Sequence, residues 1–147
     1  MCSLKSLLDD FWEWTGTPRS LWGNIDISKL SANPQYYPKF EQLRNKCILM
    51  INKSIDTDEY ECFLLSMALD NEEEKILDCC KEYANSEFIE GLVSTGISCN
   101  QWEARWQIAE LLQRQIPNRI GYLHTLCNDA NEYVRKRAMN VMYDIEG

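Results

Sequence analysis

Residues 104–112 read ARWQIAELL, and residues 134–142, thirty positions later, read VRKRAMNVM. In each stretch an arginine follows an apolar residue, and further apolar or small residues recur three or four positions apart. That spacing places them on one face of an α-helix. We therefore predict one helix over residues 100–115 and another over residues 131–145, and this repeated pattern decides the fold.

The segment between the two stretches completes a repeating unit. A helix is expected over residues 117–127, and the turn at residues 128–131 reads NDAN. Ala109 and Ala138 are small enough to let two helices approach closely. The aspartate of the turn, Asp129, can pair with an arginine and fix how one helical pair stacks on the next.

This pattern resembles the HEAT-like helical repeats in their short bacterial form. The resemblance covers about a third of the chain, and it implies stacked antiparallel helical pairs in an α-solenoid. Thirty residues before Arg105, at Lys75, no comparable motif is found. The N-terminal half is therefore either a degenerate set of repeats or a different helical cap, and a generic helical bundle with a chance echo is the alternative. The resemblance is carried by Asp129, Val134, Arg135 and Ala138, with Ala104, Arg105 and Ala109 as the preceding copy.

Helical spacing also recurs upstream, and no segment alternates like a strand. With only 6 glycines and 4 prolines, we predict an all-α chain of about seven or eight helices. It is expected to form one domain, 1–147, made of a helical part at 1–99 with an irregular stretch at 15–38, followed by the repeats at 100–147. The upstream helices are expected at 4–14, at 38–53, and from about 56, 71 and 86 onward.

Helix starts are marked by a spacing typical of capping boxes, in which a short polar residue precedes a glutamate by three positions. Three pairs with this spacing precede a helical apolar pattern, and Gly96 is placed to end the helix that begins near residue 86. We therefore expect helices to open at Asp56-x-x-Glu59, Asn71-x-x-Glu74 and Asn100-x-x-Glu103.

Charge is distributed unevenly along the chain. The net charge is −8, and residues 56–90 hold twelve acidic residues against two lysines, whereas residues 102–147 hold six of each sign. An acidic field repels nucleic acid and anionic membranes and speeds encounter with cationic partners. The alternative is a solvated surface that simply keeps the protein soluble.

The residues needed for catalysis or metal binding are scarce. The seven cysteines are odd in number and form no C-x-x-C pair, and His124 is the single histidine. We expect no metal, no cofactor and no catalytic residues, because no phosphate loop, G-x-S-x-G or H-E-x-x-H motif occurs. The cysteines fit small apolar residues in a reducing compartment, and no signal peptide or membrane span is recognised, so we expect a cytoplasmic protein.

The candidate binding residues are carboxylates and one tryptophan. Trp106 is the expected anchor of a protein interface, because Glu103, Gln107 and Glu110 neighbour it. The predicted partner-binding set combines this cluster with the acidic residues of the middle helices. It consists of Asp70, Glu72, Glu73, Asp78, Glu82, Glu103, Trp106 and Glu110.

The profile of size, charge and fold resembles the immunity proteins of contact-dependent growth inhibition toxin systems. That resemblance implies an antitoxin that binds a cationic toxin domain such as a nuclease and blocks it sterically, without binding nucleic acid or membrane itself. A general HEAT-like scaffold or adaptor fits the same sequence. A HEAT-like enzyme, either a DNA glycosylase or a chromophore lyase, is disfavoured. The net charge of −8 does not suit a DNA-binding groove, and no cysteine stands out as reactive.

Overall fold

The computed structural model describes residues 3–146, and this part of the chain is all-helical with no strand. The predicted fold class and helix number are confirmed. The eight α-helices are α1 (Leu4–Thr15), α2 (Phe40–Met50), α3 (Thr57–Leu69), α4 (Lys75–Tyr83), α5 (Ser86–Gly96), α6 (Trp102–Leu111), α7 (Arg119–Cys127) and α8 (Glu132–Glu146).

The helices pack in two rows. Helices α1, α3 and α5 lie side by side in one row, and α2, α4, α6 and α8 lie side by side in the other. Helices α3 and α6 join the rows at the centre, and α7 packs on α8. Half of the largest fully buried side chains come from this centre, including Phe63, Leu64, Met67 and Ile108. None of the helices within residues 3–146 has the length and apolar character needed to cross a bilayer.

The Asp–Arg pairing expected in the repeat is present. Asp129 accepts hydrogen bonds from Arg105 at 2.8 Å (Nε) and 3.1 Å (Nη2). Arg105 Nη1 also donates to the Cys99 carbonyl at 2.7 Å, and Arg135 Nη1 donates to the Asp129 carbonyl at 2.7 Å. Each arginine therefore binds the carbonyl six residues before it, so the two copies in the sequence share a contact as well as a spacing.

Only one of the three expected capping boxes forms. Asp56 accepts from the backbone N–H of Glu59 at 2.8 Å, and the Glu59 carboxylate accepts from the backbone N–H of Asp56 at 3.2 Å. Asn100 instead donates to Gly23 and Asn24, which lie in the stretch before α2. The predicted capping box at Asn100 and Glu103 is wrong because long-range hydrogen bonds have taken its first member.

The expected start of α4 at Asn71 is also wrong. The Asn71 side chain donates back to the Ala68 carbonyl at 2.7 Å, and α4 begins only at Lys75. Asp70 supplies the cap, because its Oδ2 accepts from the Ile76 N–H at 2.9 Å. The acidic residues 72–74 therefore lie in the turn before α4 and not in its first turn.

Gly96 has a packing role. Helix α5 ends at Gly96 as predicted, but the glycine is not in a left-handed conformation. A Cβ at this position would meet Ile108 Cγ1 and Leu64 Cδ2 at 2.8 Å each. The missing side chain therefore lets α5 approach α3 and α6.

The irregular stretch at 15–38 is more ordered than predicted. Its three short 3-10 helices lie at Arg19–Leu21, Ile27–Lys29 and Pro34–Tyr36. Asp26 and Asn33 cap the last two through their side chains. Single turns of this kind leave no periodic signal in a sequence, which is why at most one was expected.

Candidate protein-binding surface

Three of the predicted binding residues are buried, and Asp70 is the first of them. It is fully buried, and its Oδ1 accepts from Arg44 Nε at 3.1 Å and Nη2 at 2.8 Å. Its other oxygen caps α4 through Ile76. Asp70 is thus occupied within the fold, and its predicted role in binding a partner is wrong.

Trp106 is buried in the contact between α6 and α8. Only 3% of it is exposed. The Arg137 guanidinium lies 4.5 Å from the centre of its ring, and Tyr133 meets the ring edge to face at 5.7 Å. The predicted exposed anchor is therefore an internal one, because α8 covers the face of α6 that carries it.

Glu110 belongs to the same internal contact. Its Oε1 lies 2.7 Å from Arg137 Nε, and its Oε2 lies 4.0 Å from Lys81 Nζ on α4. Both cations engage the carboxylate from neighbouring helices. Glu110 accordingly stabilises the packing of α4, α6 and α8 and offers little charge to a partner.

Glu103 is buried as well, which removes it from any open surface. It is 3% exposed, and its Oε1 has no hydrogen-bond partner within residues 3–146. Burial raises the pKa of its carboxyl to about 7, and repulsion from Asp26 adds to the effect. The prediction that Glu103 borders an exposed tryptophan is wrong, because Glu103 and Trp106 are both buried.

The remaining four predicted residues are exposed. Glu73 lies 3.6 Å from Arg44 and 3.4 Å from Lys75, so its charge is partly matched. Glu72, Asp78 and Glu82 have no salt bridge within residues 3–146. They remain candidates for binding a cationic partner, on the side of the molecule formed by α4 and the turn before it.

A second group of exposed carboxylates lies on the opposite row of helices. Within residues 3–146, Asp58 and Glu61 on α3, and Glu87 and Glu90 on α5, are exposed and lack salt bridges. The acidic segment at 56–90 is therefore divided between two sides of the molecule, because its helices alternate between the two rows. The sequence showed the excess of charge but not this division.

A groove of about 630 Å³ lies beside Asp58 and Glu61. It runs between α1, α3 and the loop that joins α5 to α6. Trp12 and Trp22 line its apolar part, and Asp9 adds a third carboxylate. We call this feature, with Asp9, Trp12, Trp22, Asp58 and Glu61, the acidic groove.

The groove is held in shape by local contacts. Trp22 donates from Nε1 to the Thr17 carbonyl at 2.9 Å, and Arg19 lies over its ring at 5.0 Å. Lys5, the cation that lines the groove, lies 3.4 Å from Asp9, and their side chains are 73% and 40% exposed. A surface ion pair of this kind contributes little to the free energy of folding, so Asp9 can leave Lys5 and pair with a cation of a binding partner.

Sequence reasoning did not assign the groove residues to a site. The sequence shows the acidic segment, but Trp12 and Trp22 lie about forty residues away from it in the chain. Their convergence depends on α1 packing beside α3. No local pattern indicates that contact.

The cysteines within residues 3–146 do not form a reactive centre. Burial raises the pKa of Cys47 to about 12 and raises that of Cys80 as well, which keeps both thiols protonated and poorly nucleophilic. Burial also raises the pKa of Cys62 and Cys99, which line the acidic groove. Within the described residues, no three histidine, cysteine or acidic side chains converge as a metal site would require.

No protein-family model, curated protein or solved structure matches the chain.

Proposed function

We propose that this protein binds a basic protein partner in the cytoplasm and blocks it, as an immunity protein blocks a toxin domain such as a nuclease. The observation that carries the proposal is the set of exposed carboxylates on α3, α4 and α5 that have no salt bridge within residues 3–146. Together with a net charge of −8, they produce a field that attracts cationic surfaces.

The acidic groove supports this proposal better than the α4 side does. A protein interface needs apolar contact area as well as charge, and aromatic residues in concave sites contribute most of the binding energy. The half-buried ring of Trp22 provides such area beside Asp58 and Glu61, whereas Trp12 is only 3% exposed. On the α4 side, Glu72 shares a smaller cavity of about 380 Å³ with the half-buried Trp102, but Asp78 and Glu82 do not line that cavity.

A nuclease partner is consistent with the sign of the charge in the groove. The groove presents carboxylates along its edge, and a nuclease binds a line of phosphates with lysine and arginine side chains. A protein that offers carboxylates to the same cations would exclude the nucleic acid sterically. The proposed mechanism needs no catalysis by this chain.

A general scaffold protein is the second candidate. The HEAT-like resemblance favours a scaffold as much as it favours an immunity protein. The two differ in their effect on the partner. An immunity protein abolishes the partner's activity at equimolar concentration, whereas a scaffold leaves it intact.

Co-purification from the native host tests the proposal. A tagged chain should recover one predominant basic protein, and the complex should weaken steeply as NaCl is raised from 50 to 500 mM, because salt screens the steering field. The isolated partner should then lose its activity on addition of the purified chain. Recovery of acidic or neutral proteins alone, or affinity that is independent of salt, would overturn the proposal.

A further inference from the structure

Helix α8 has a face that no other part of the described chain covers. Its buried residues, Val134, Ala138 and Val141, face α6 and α7, the helices on which α8 mainly packs. On the opposite side, Met139 is 52% exposed and Tyr143 is 79% exposed. Residues four apart on a helix share a face, so these two side chains form one exposed apolar strip.

Two residues of opposite charge lie at the ends of this apolar strip. Lys136 comes one helical turn before Met139, and Glu146 comes one turn after Tyr143. Both charged side chains are exposed, and neither has a salt bridge within residues 3–146. The exposed face of α8 therefore presents a cation, two apolar side chains and an anion, in that order along the chain.

This order is self-complementary about Val141. Met139 and Tyr143 are each two residues from Val141, and Lys136 and Glu146 are each five residues from it. Consider two α8 helices that pack antiparallel about a two-fold axis at the level of residue 141. Lys136 of one copy lies level with Glu146 of the other, and Met139 lies level with Tyr143. Self-complementarity of this kind is what a two-fold symmetric contact requires, because both copies contribute the same surface.

Other positions of the axis bring like charges together. An axis at the level of Lys136 would place the two Lys136 ammonium groups side by side. An axis at the level of Met139 would place Glu132 level with Glu146 of the second copy. Like charges in contact are unfavourable, so the charges select the axis at residue 141. With that axis the described helices overlap from residue 136 to residue 146, and Glu132 lies outside the contact.

We propose that two copies of this chain form a symmetric dimer in which their α8 helices pack antiparallel about Val141. Residues 102–147, which include α8, hold six acidic and six basic residues, so the copies approach through a segment without net charge. No residue of α8 lines the acidic groove. The dimer leaves the groove open, and the inference is therefore independent of the proposed function.

The contact is small, and this sets its expected strength. One helix face per copy buries less than the roughly 1,200 Å² of a standard interface, so we expect a reversible dimer with a Kd of roughly 0.1–1 mM. At roughly 10 µM, a usual concentration for titration calorimetry, the chain is then monomeric. Binding of a basic partner measured at that concentration is not affected by the α8 contact.

Sedimentation equilibrium between 20 µM and 1 mM chain in 50 mM NaCl tests the proposal. The average mass of the wild-type chain should rise towards that of a dimer. Lys136→Glu and Glu146→Lys each place like charges level across the axis, so each should weaken association at least fivefold. An equimolar mixture of the two variants should associate again, because both pairs in the mixed dimer are then opposite in charge.

The Glu146→Lys variant separates the proposed pairs from general charge repulsion. It makes the chain less negative, so general repulsion predicts stronger association, whereas the proposed pairs predict weaker association. Lys53→Glu and Glu90→Lys make the same changes of charge on exposed residues away from α8, and mixing them should give no more association than the wild type shows.

Three results would each overturn the α8 dimer. They are a wild-type chain that stays monomeric up to 1 mM, a Glu146→Lys chain that associates as tightly as wild type or more tightly, and a mixture that does not recover association. A monomeric wild type would leave the apolar strip to a different protein. The wild-type measurement is decisive even if a variant does not fold.

Discussion

Asp129, in the turn before α8, holds Arg105 of α6 with both carboxylate oxygens, at 2.8 and 3.1 Å. The two residues are 24 positions apart, and side-chain exposure is 9% for the aspartate and 15% for the arginine. Arg105 also ties down the Cys99 carbonyl, so one guanidinium joins the start of α6 to the turn that precedes α8. Arg135, the arginine that recurs thirty residues later, repeats the contact with the carbonyl six residues before it, which is that of Asp129.

Replacing Asp129 should therefore destabilise the C-terminal helices. Asp129→Asn leaves the largely buried Arg105 without its anionic partner, and we expect a loss of about 2–4 kcal/mol in the free energy of unfolding. Urea denaturation followed by circular dichroism measures it. Glu132→Gln, an exposed change three residues away, is the matched control and should stay within about 0.5 kcal/mol. Equal effects of the two changes would mean that the pair does not hold the repeat together.

The buried pair of Arg44 and Asp70 predicts a larger loss. Asp70→Asn removes the charge that balances Arg44 and weakens the cap on α4 at Ile76, so we expect about 3–5 kcal/mol of destabilisation. Glu41 also contacts Arg44, at 2.9 Å, but its side chain is 69% exposed. Glu41→Gln should therefore change stability by less than about 1 kcal/mol. A loss of similar size for both variants in urea denaturation would contradict this reading.

Two glycines allow a matched test of helix packing. Gly96→Ala places a methyl group against Ile108 and Leu64, which are both fully enclosed, and we expect about 1–3 kcal/mol of destabilisation. Gly91→Ala meets only the outer end of the Tyr60 ring, which is half-buried and can turn away. Its gain in helix propensity should offset the contact, leaving stability nearly unchanged. Thermal unfolding of the two variants side by side measures the difference, and an equal shift would show that Gly96 has no special packing role.

Glu103 should make stability fall as pH rises. Its pKa in the folded protein is about 7, above the ordinary 4.5 of the unfolded chain, so the folded state binds the proton more tightly. The stabilisation is complete below pH 4.5 and is lost as the pH rises through 7, by roughly 2–3 kcal/mol. Urea denaturation of wild type and Glu103→Gln at pH 5 and pH 8 isolates the effect. A wild type that gains stability relative to the variant between these pH values would contradict the burial of an unpaired carboxyl.

The sequence predicts the local features of this fold well, since helix positions follow from apolar spacing and the Asp129 turn from its composition. It fails where burial is decided by distant helices. Helix α6 lies among α3, α4, α5 and α8, so Glu103 and Trp106 are covered although they fall beside polar neighbours in the sequence. Asp70 was predicted to lie on a binding surface for the same reason, because Arg44, with which it pairs, is 26 residues away in the chain. The acidic groove could not be predicted, because Trp12 and Asp58, which both line it, are far apart in the sequence.

If the acidic groove binds a basic partner, the affinity of the purified partner should differ among three charge-reversal variants. The first, Asp58→Lys with Glu61→Lys, alters the groove, and the second, Asp78→Lys with Glu82→Lys, alters α4. The third, Asp144→Lys with Glu146→Lys, makes the same change in net charge on exposed residues at the end of α8. Titration calorimetry at 150 mM NaCl should show an affinity loss of roughly tenfold or more for the groove variant and roughly twofold or less for the other two, provided that all three retain the wild-type circular dichroism spectrum. Equal affinity of the groove and α8 variants would contradict the account.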